Sequence, residues 1–463
     1  MVDADNASDD ASALRLSRAI VESYASSPGR RKAVFRRTLG VVVASQILGG
    51  AGLAAGVTVG ALLAQDMLGG TGLAGIPAAL MTLGAAATAF LVGRISQRRG
   101  RRVGLTSGFA AGALGATGVV LAAVTDSAPL LFASLLVYGA GTATNLQARY
   151  AGADLAAPDR RGTAISVALV STTIGAVAGP NLVTPMGALA TSIGIPALAG
   201  TFLLAAVAYG AAALVLLIWL RPDPLLLAAA IAAHERRATE ATATTTLTPT
   251  PTPAPTPGGS DVSGADEAAV PHTVNRGVVV GATVMVLTQV AMVAIMTMTP
   301  IHMSDHGHGL TEVGIVIAVH IGAMYLPSLV TGVLVDTVGR IAMAIASGVT
   351  LLLAGVVAAT APADSMVQLV IALALLGLGW NFGLISGTAL VVDAAPVETR
   401  ARTQGSIDVL ISLSGATGGA LSGLVMAGTS YAVLSLAGGV LSILLIPVVL
   451  WSRRGTPAGP LVQ

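Results

Sequence analysis

Residues 93–101 read GRISQRRGR and residues 332–340 read GVLVDTVGR, so a glycine, a polar centre and a closing Gly-Arg recur 239 positions apart. The same offset relates Asp154 to Asp393, Arg161 to Arg400 and Gly179 to Gly418. Each copy lies between long apolar stretches, and twelve such stretches can cross about 30 Å of hydrocarbon as helices. They span residues 39–64, 74–93, 103–124, 129–151, 163–184, 197–220, 277–300, 312–335, 341–361, 366–391, 404–426 and 431–451. The expected fold is an all-α membrane protein of twelve transmembrane helices, built as two six-helix bundles that repeat one another. Parallel repeats of this kind place a binding site at their interface.

Composition agrees. Of 463 residues, 54% are hydrophobic and 10% charged, against about 25% charged in soluble domains. The 56 glycines suit helices that approach closely in lipid. Unbroken apolar runs exclude a β-barrel. The absence of cysteine removes disulfides, thiolate metal sites and thiol catalysis. There is no nucleotide-binding loop, no paired catalytic carboxylates on a soluble scaffold and no Ser/His/Asp order. Neither an enzyme nor a cofactor is expected, and a net charge of only +2 gives no reason to expect a nucleic-acid partner.

All basic residues fall in the tails or in the connections after even-numbered spans, among them Arg94 to Arg102, Arg149 with Arg160 and Arg161, Arg340, and Arg400 with Arg402. Translocated loops are depleted in Lys and Arg. That asymmetry places both termini in the cytoplasm and the chain, multi-pass, in the cytoplasmic (inner) membrane. Between spans 6 and 7, the Thr/Pro alternation TATTTLTPTPTPAPTPGGS cannot build a core. The organisation is then an N-tail over 1–37, a first bundle over 38–220, a Thr/Pro-rich cytoplasmic linker over 221–275, a second bundle over 276–452 and a C-tail over 453–463.

These features resemble the major facilitator superfamily across residues 38–452. That family's G-x-x-x-D-R/K-x-G-R/K loop is matched by Gly332, Asp336, Gly339 and Arg340. The first copy has Gly93, Gly100 and Arg101 but Gln97 where the carboxylate belongs. The resemblance implies a conformational latch in which Asp336 meets the start of span 5 near Thr163, where unpaired N–H groups attract negative charge. It also implies a secondary active transporter that moves a small solute by alternating access, coupled to protons, and working as a monomer in the bilayer. The same glycines and arginines also serve as tight turns and as orientation signals.

Further residues sharpen or divide this reading. Gly175, Gly179 and Pro180 form a GxxxGP similar to the motif of drug or metabolite efflux antiporters, and equally a packing stripe with a kink. Met292 and Met296 share one helix face, as do His320 and Met324. The sequence around them resembles the CcoA-type copper importers, in which thioether and imidazole would hold Cu(I). Met is also a common filler of apolar faces, and His320 is also a candidate proton carrier. The outer loop His302 to His308 can collect metal or simply turn in solvent. Gln289, Asn145 and Asn381 are polar residues inside apolar spans, open to substrate binding or to helix bridging. Asp408, one turn into span 11, is either a proton-coupling carboxylate or a helix N-terminal cap. From another class, the missing first-copy carboxylate fits a non-transporting membrane sensor on the same scaffold.

The orientation predicts that a tag fused after Gln463 and one inserted at Pro255 are accessible only from the cytoplasm. Antibody labelling of intact cells checks this, and a signal from outside at either site would refute it.

Overall fold

The computed structural model describes residues 21–68, 76–246, 275–362 and 365–448, and every regular element among them is helical. The first half contains α1 (Pro28–Leu68), α2 (Ile76–Arg99), α3 (Arg101–Val124), α4 (Ala128–Ala153), α5 (Arg161–Asn181), its continuation α6 (Val183–Ser192), and α7 (Gly200–Trp219). After α8 (Pro224–Thr246) the second half follows. It contains α9 (Arg276–Asp305), α10 (Leu310–Tyr325), its continuation α11 (Ser328–Thr337), α12 (Arg340–Thr360), α13 (Met366–Ala394), α14 (Arg400–Gly428) and α15 (Tyr431–Ile443). Ten helical stretches among the described residues are long and apolar enough to cross a membrane. With α1 and the broken α5–α6, the twelve-helix, two-bundle fold is complete.

Two large apolar clusters fill the interior, one within the first half and one centred on the second that also takes in Tyr150, Ala153, Ile165 and Leu169 of the first. One gathers Phe109, Leu131, Tyr138, Phe202 and Tyr209, and the other Leu351, Leu376, Trp380 and Ile385. Outward-facing Leu114, Val207 and Leu424 stay largely exposed, as lipid-facing positions should. The turn from α2 to α3 is made by Gly100 at φ 88°, and the turn from α11 to α12 by Gly339 at φ 109°. Side chains with a Cβ rarely adopt that backbone, which is why a glycine precedes Arg101 and Arg340 in both copies of the repeat.

The eighth crossing is broken at Pro327, which has no N–H to give the preceding turn. Asn381 of α13 repairs the break. Its Nδ2 donates to the Met324 carbonyl and to Ser328 Oγ, each at 2.7 Å, and its Oδ1 accepts from Thr331 Oγ1 at 2.5 Å.

Two boundaries differ from expectation. The first membrane-crossing helix starts at Pro28, ten residues inside the segment expected as a tail, and residues 21–25 before it are also helical. The first part of the linker is the helix α8, because PLLLAAAIAAHERRATE is rich in strong helix formers. The Thr/Pro alternation beyond Thr246 lies outside the described residues. α8 lays Leu225 against Val397 and Ala401 of the second half. Arg236 pairs with Glu398, and that hydrogen bond holds the Glu398 carboxyl below its usual pKa.

Candidate functional site

The two halves meet tightly on the face that carries the arginine-rich connections. The N-terminus of α5 leaves N–H groups without helical acceptors, as every helix start does. Asp336, at the end of α11, accepts from Gly162 N (Oδ1, 2.8 Å), from Thr163 N (Oδ2, 2.8 Å) and from Thr163 Oγ1 (Oδ2, 2.8 Å). The pseudo-symmetric position does the same with a different group. Gln97 Oε1, at the end of α2, accepts from Ala401 N at 2.8 Å and from Arg402 N at 3.4 Å, at the start of α14. The expectation that only Asp336 would engage a helix start is therefore corrected. An amide oxygen is also an acceptor, and what Gln97 lacks is the charge.

Behind these contacts lie two matching ion pairs. Arg101 Nε bonds Asp154 at 2.8 Å with both side chains buried, and Arg340 Nε bonds Asp393 at 2.9 Å. Each also reaches across the seam. Arg101 Nη2 donates to Gln404, Arg340 Nη2 donates to the Pro158 carbonyl, and Arg161 pairs with Asp393 at 2.5 Å. Deeper in, Gly93 and Gly405 touch, and a Cβ on Gly93 would sit 2.8 Å from the Gly405 Cα.

A buried contact between the halves is charged. Arg149 Nη2 of α4 donates to Asp408 Oδ1 of α14 at 2.9 Å, with Arg149 fully buried and Asp408 2% exposed. Tyr150 Oη donates to the same Oδ1 at 3.2 Å and accepts from Arg149 Nη2 at 2.8 Å. Arg149 Nε donates to Thr388 Oγ1 of α13 at 3.2 Å, and Nη1 to the Leu146 carbonyl. Two expectations change here. Arg149 is not a residue of an inner connection but part of α4. Asp408, two turns inside α14, caps no helix. The signal for Arg149 was already present, since residue 149 falls within the apolar span 129–151. A cation inside a span needs a partner.

The other expected site residues occupy different surroundings. Gln289 Oε1 accepts from Trp380 Nε1 at 2.8 Å, and Tyr325 packs edge-on against Trp380. Asn145 Oδ1 accepts from Thr172, which in turn accepts from Gln46, tying α4 to α5 and α1. Asn381 is fully engaged at the Pro327 break. His320 is buried, and Met292 and Met324 lie in the core of the second half with Met296 against it. His320 Nδ1 is 2.8 Å from the Leu373 carbonyl. A carbonyl only accepts, so Nδ1 carries the proton, and Nε2, which is buried, has no hydrogen-bond partner.

Gly175 packs α5 onto α1, where a Cβ would meet the Ile47 carbonyl at 1.9 Å, and the side chains at 179 and 180 lie outside the described residues. On the opposite face, His302 stacks on Tyr431 at 4.2 Å with His306 beside it. Among the described residues no three His, Asp or Glu side chains converge on a metal position.

Comparison with known proteins places this geometry. The model of the Major Facilitator Superfamily matches residues 41–324 and 279–462. The chain is 61% identical to the uncharacterized MFS-type transporter YdeG of Bacillus subtilis (strain 168), over 96% of this chain and 98% of that one. It is 26% identical to the riboflavin transporter RfnT of Brucella anthropi, over 90% of this chain and 96% of that one. Among solved structures, FucP in the outward conformation superposes with a TM-score of 0.64 at 13% identity, covering 92% of this chain and all of that one.

Ser166, fully buried on α5 where Gly332 crosses it, reports on the seam. In this cysteine-free chain, Ser166→Cys is expected to react slowly with a maleimide. Charge-assisted bonds contribute about 1.5–3 kcal/mol and neutral ones about 1. Asp336→Ala should therefore speed labelling about tenfold or more and Gln97→Ala about fivefold or less. Equal small effects would show that neither contact holds the seam.

Proposed function

The chain belongs to the major facilitator superfamily and is a multi-pass membrane transporter, not an enzyme, and from that premise we propose that it couples a small organic solute to protons by alternating access. The observation that carries the reading is the Arg149–Asp408 pair, because it joins the two halves through two buried charges.

Both charges are out of water, so each depends on the other. Removing one partner of such a pair costs about 3–5 kcal/mol, because the remaining charge is left unpaired. A proton on Asp408 neutralises the carboxylate and removes most of the attraction to Arg149. The halves then part, and water reaches the guanidinium. Return of the carboxylate favours closure. Tyr150 and Thr388 hold the Arg149 side chain in place while the carboxylate changes charge. Outside this centre, Asp336 and Gln97 act as paired latches, with Gly93, Gly100, Arg101, Gly332, Gly339 and Arg340 shaping the turns and the contact. By the basic-residue asymmetry this closed face is the cytoplasmic one, which supports an outward-facing reading.

An organic solute is supported by the relative named a riboflavin transporter and by the Gln289–Trp380–Tyr325 group, which offers aromatic surface beside a polar amide. A second reading, import of Cu(I), is supported by one feature. The proton on His320 Nδ1 leaves the Nε2 lone pair free, and neutral imidazole is a copper ligand when thiolate is absent.

Proteoliposomes loaded with a pH-sensitive dye test both readings, with riboflavin and Cu(I) as the first solutes. Solute-driven proton movement is expected in the wild type. Asp408→Asn should abolish it while leaving counterflow of labelled solute intact, and proton movement undiminished in that variant would refute the coupling role. Copper accumulation lost in both His320→Ala and Met292→Ala would support the second reading, and normal copper uptake in His320→Ala would remove it.

A further inference from the structure

The basic face also carries a cavity of about 860 Å³ that the transport pathway does not explain. Its walls come from four places: the start of α1, the connection from α4 to α5, the helix α8, and the connection from α13 to α14. Six cationic side chains line it: Arg31, Lys32, Arg36, Arg160, Arg161 and Arg400. Only three carboxylates share the lining, and two of them are engaged: Asp154 with Arg101 and Glu235 with Arg31. Arg161 has Asp393, yet its Nε is buried without a hydrogen-bond partner.

Arg400 is the most telling member. It is 8% exposed, and its one side-chain bond is from Nε to the Ala395 carbonyl at 3.3 Å. Among the described residues no ion pair within 4 Å involves Arg400, Arg160, Lys32 or Arg36. Asp154 and Asp393 act on Arg400 only from beyond ion-pair distance, and a largely buried guanidinium without a direct carboxylate partner is stabilised when an anion reaches it.

We propose that this cavity is an anion site for a phosphate group, and that its occupant holds the basic face closed. A phosphate offers several charged oxygens to several guanidinium forks at once, which a single carboxylate does not. The volume lies within the range of small-molecule sites, about 300–1,000 Å³. Leu227, Ala228 and Ile231 of α8 supply an apolar wall for the remainder of the molecule. The phosphate can come from a soluble phosphorylated metabolite or from the headgroup of an anionic lipid.

The conformational effect follows from where the walls belong. Arg160 and Arg161 stand on the first half and Arg400 on the second, while α8 bridges them through Glu235 with Arg31 on the first and through Arg236–Glu398 and Leu225 against Val397 on the second. Parting the halves on this face takes the site apart. A ligand that binds one of two states shifts the population toward it. This effect rests on the alternating-access reading, whereas the binding itself does not.

The test uses the purified full chain. Pyrophosphate and ATP are titrated in detergent with melting temperature as the readout, and phosphatidylcholine nanodiscs with and without phosphatidylglycerol are compared in parallel. Saturable stabilisation by either kind of probe is expected, with apparent affinity at least tenfold weaker in Arg400→Gln and in the surface variant Arg160→Gln. Response to the soluble probes alone assigns a metabolite, and response to phosphatidylglycerol alone assigns a lipid headgroup. No stabilisation by any probe, or stabilisation unchanged in both variants, overturns the site.

The occupant should also slow maleimide labelling of Ser166→Cys severalfold. Binding with no change in that rate overturns the conformational effect. Failure of the alternating-access reading itself would be seen separately, as a labelling rate that no seam variant alters.

Discussion

A charge inside a membrane protein needs an opposite charge beside it, and in this chain the Arg149–Asp408 pair meets that need across the boundary between the two halves. A large apolar cluster is centred on each bundle, and the second bundle's extends to Tyr150, Ala153, Ile165 and Leu169 of the first. Neither bundle alone can satisfy Arg149 or Asp408. The pair makes the relative position of the halves part of the electrostatics of the interior, and a change in charge at one oxygen is thereby linked to a change in position.

The contacts outside the pair are built from the repeat. Asp336 and Gln97 occupy equivalent places and meet equivalent helix starts, α5 and α14. Arg101–Asp154 and Arg340–Asp393 are likewise equivalent. The two acceptors are not equal, since one is anionic and the other neutral.

Much of this was legible in the sequence because it follows from one-dimensional signals. Spans of about twenty apolar residues, the offset of 239 and the turning glycines at 100 and 339 are all local or periodic, and they specify the twelve-helix, two-bundle fold. Long-range pairing was less accessible. Arg149 sits near the end of a span, where it also fits the count of basic residues on one face, so its burial was hidden by its agreement with the charge asymmetry. Gln97 looked like a loss because the position was judged by charge and not by its ability to accept a hydrogen bond. α8 was obscured by the Thr/Pro alternation that follows it, although its Ala- and Leu-rich start carries helix propensity. Asn381 was visible as a buried polar residue, but its partner is a break at Pro327 that only the packing of α10, α11 and α13 creates.

The central claim, that the Arg149–Asp408 pair keeps the basic face closed, is tested most directly by a distance across that face. Spin labels at Arg99→Cys and Arg402→Cys, both on exposed positions at the ends of α2 and α14, report the separation of the halves in the otherwise cysteine-free chain. In the parent protein a single short distance is predicted, with a longer population appearing when Asp408→Asn is added. An unchanged distribution in that variant would contradict the account.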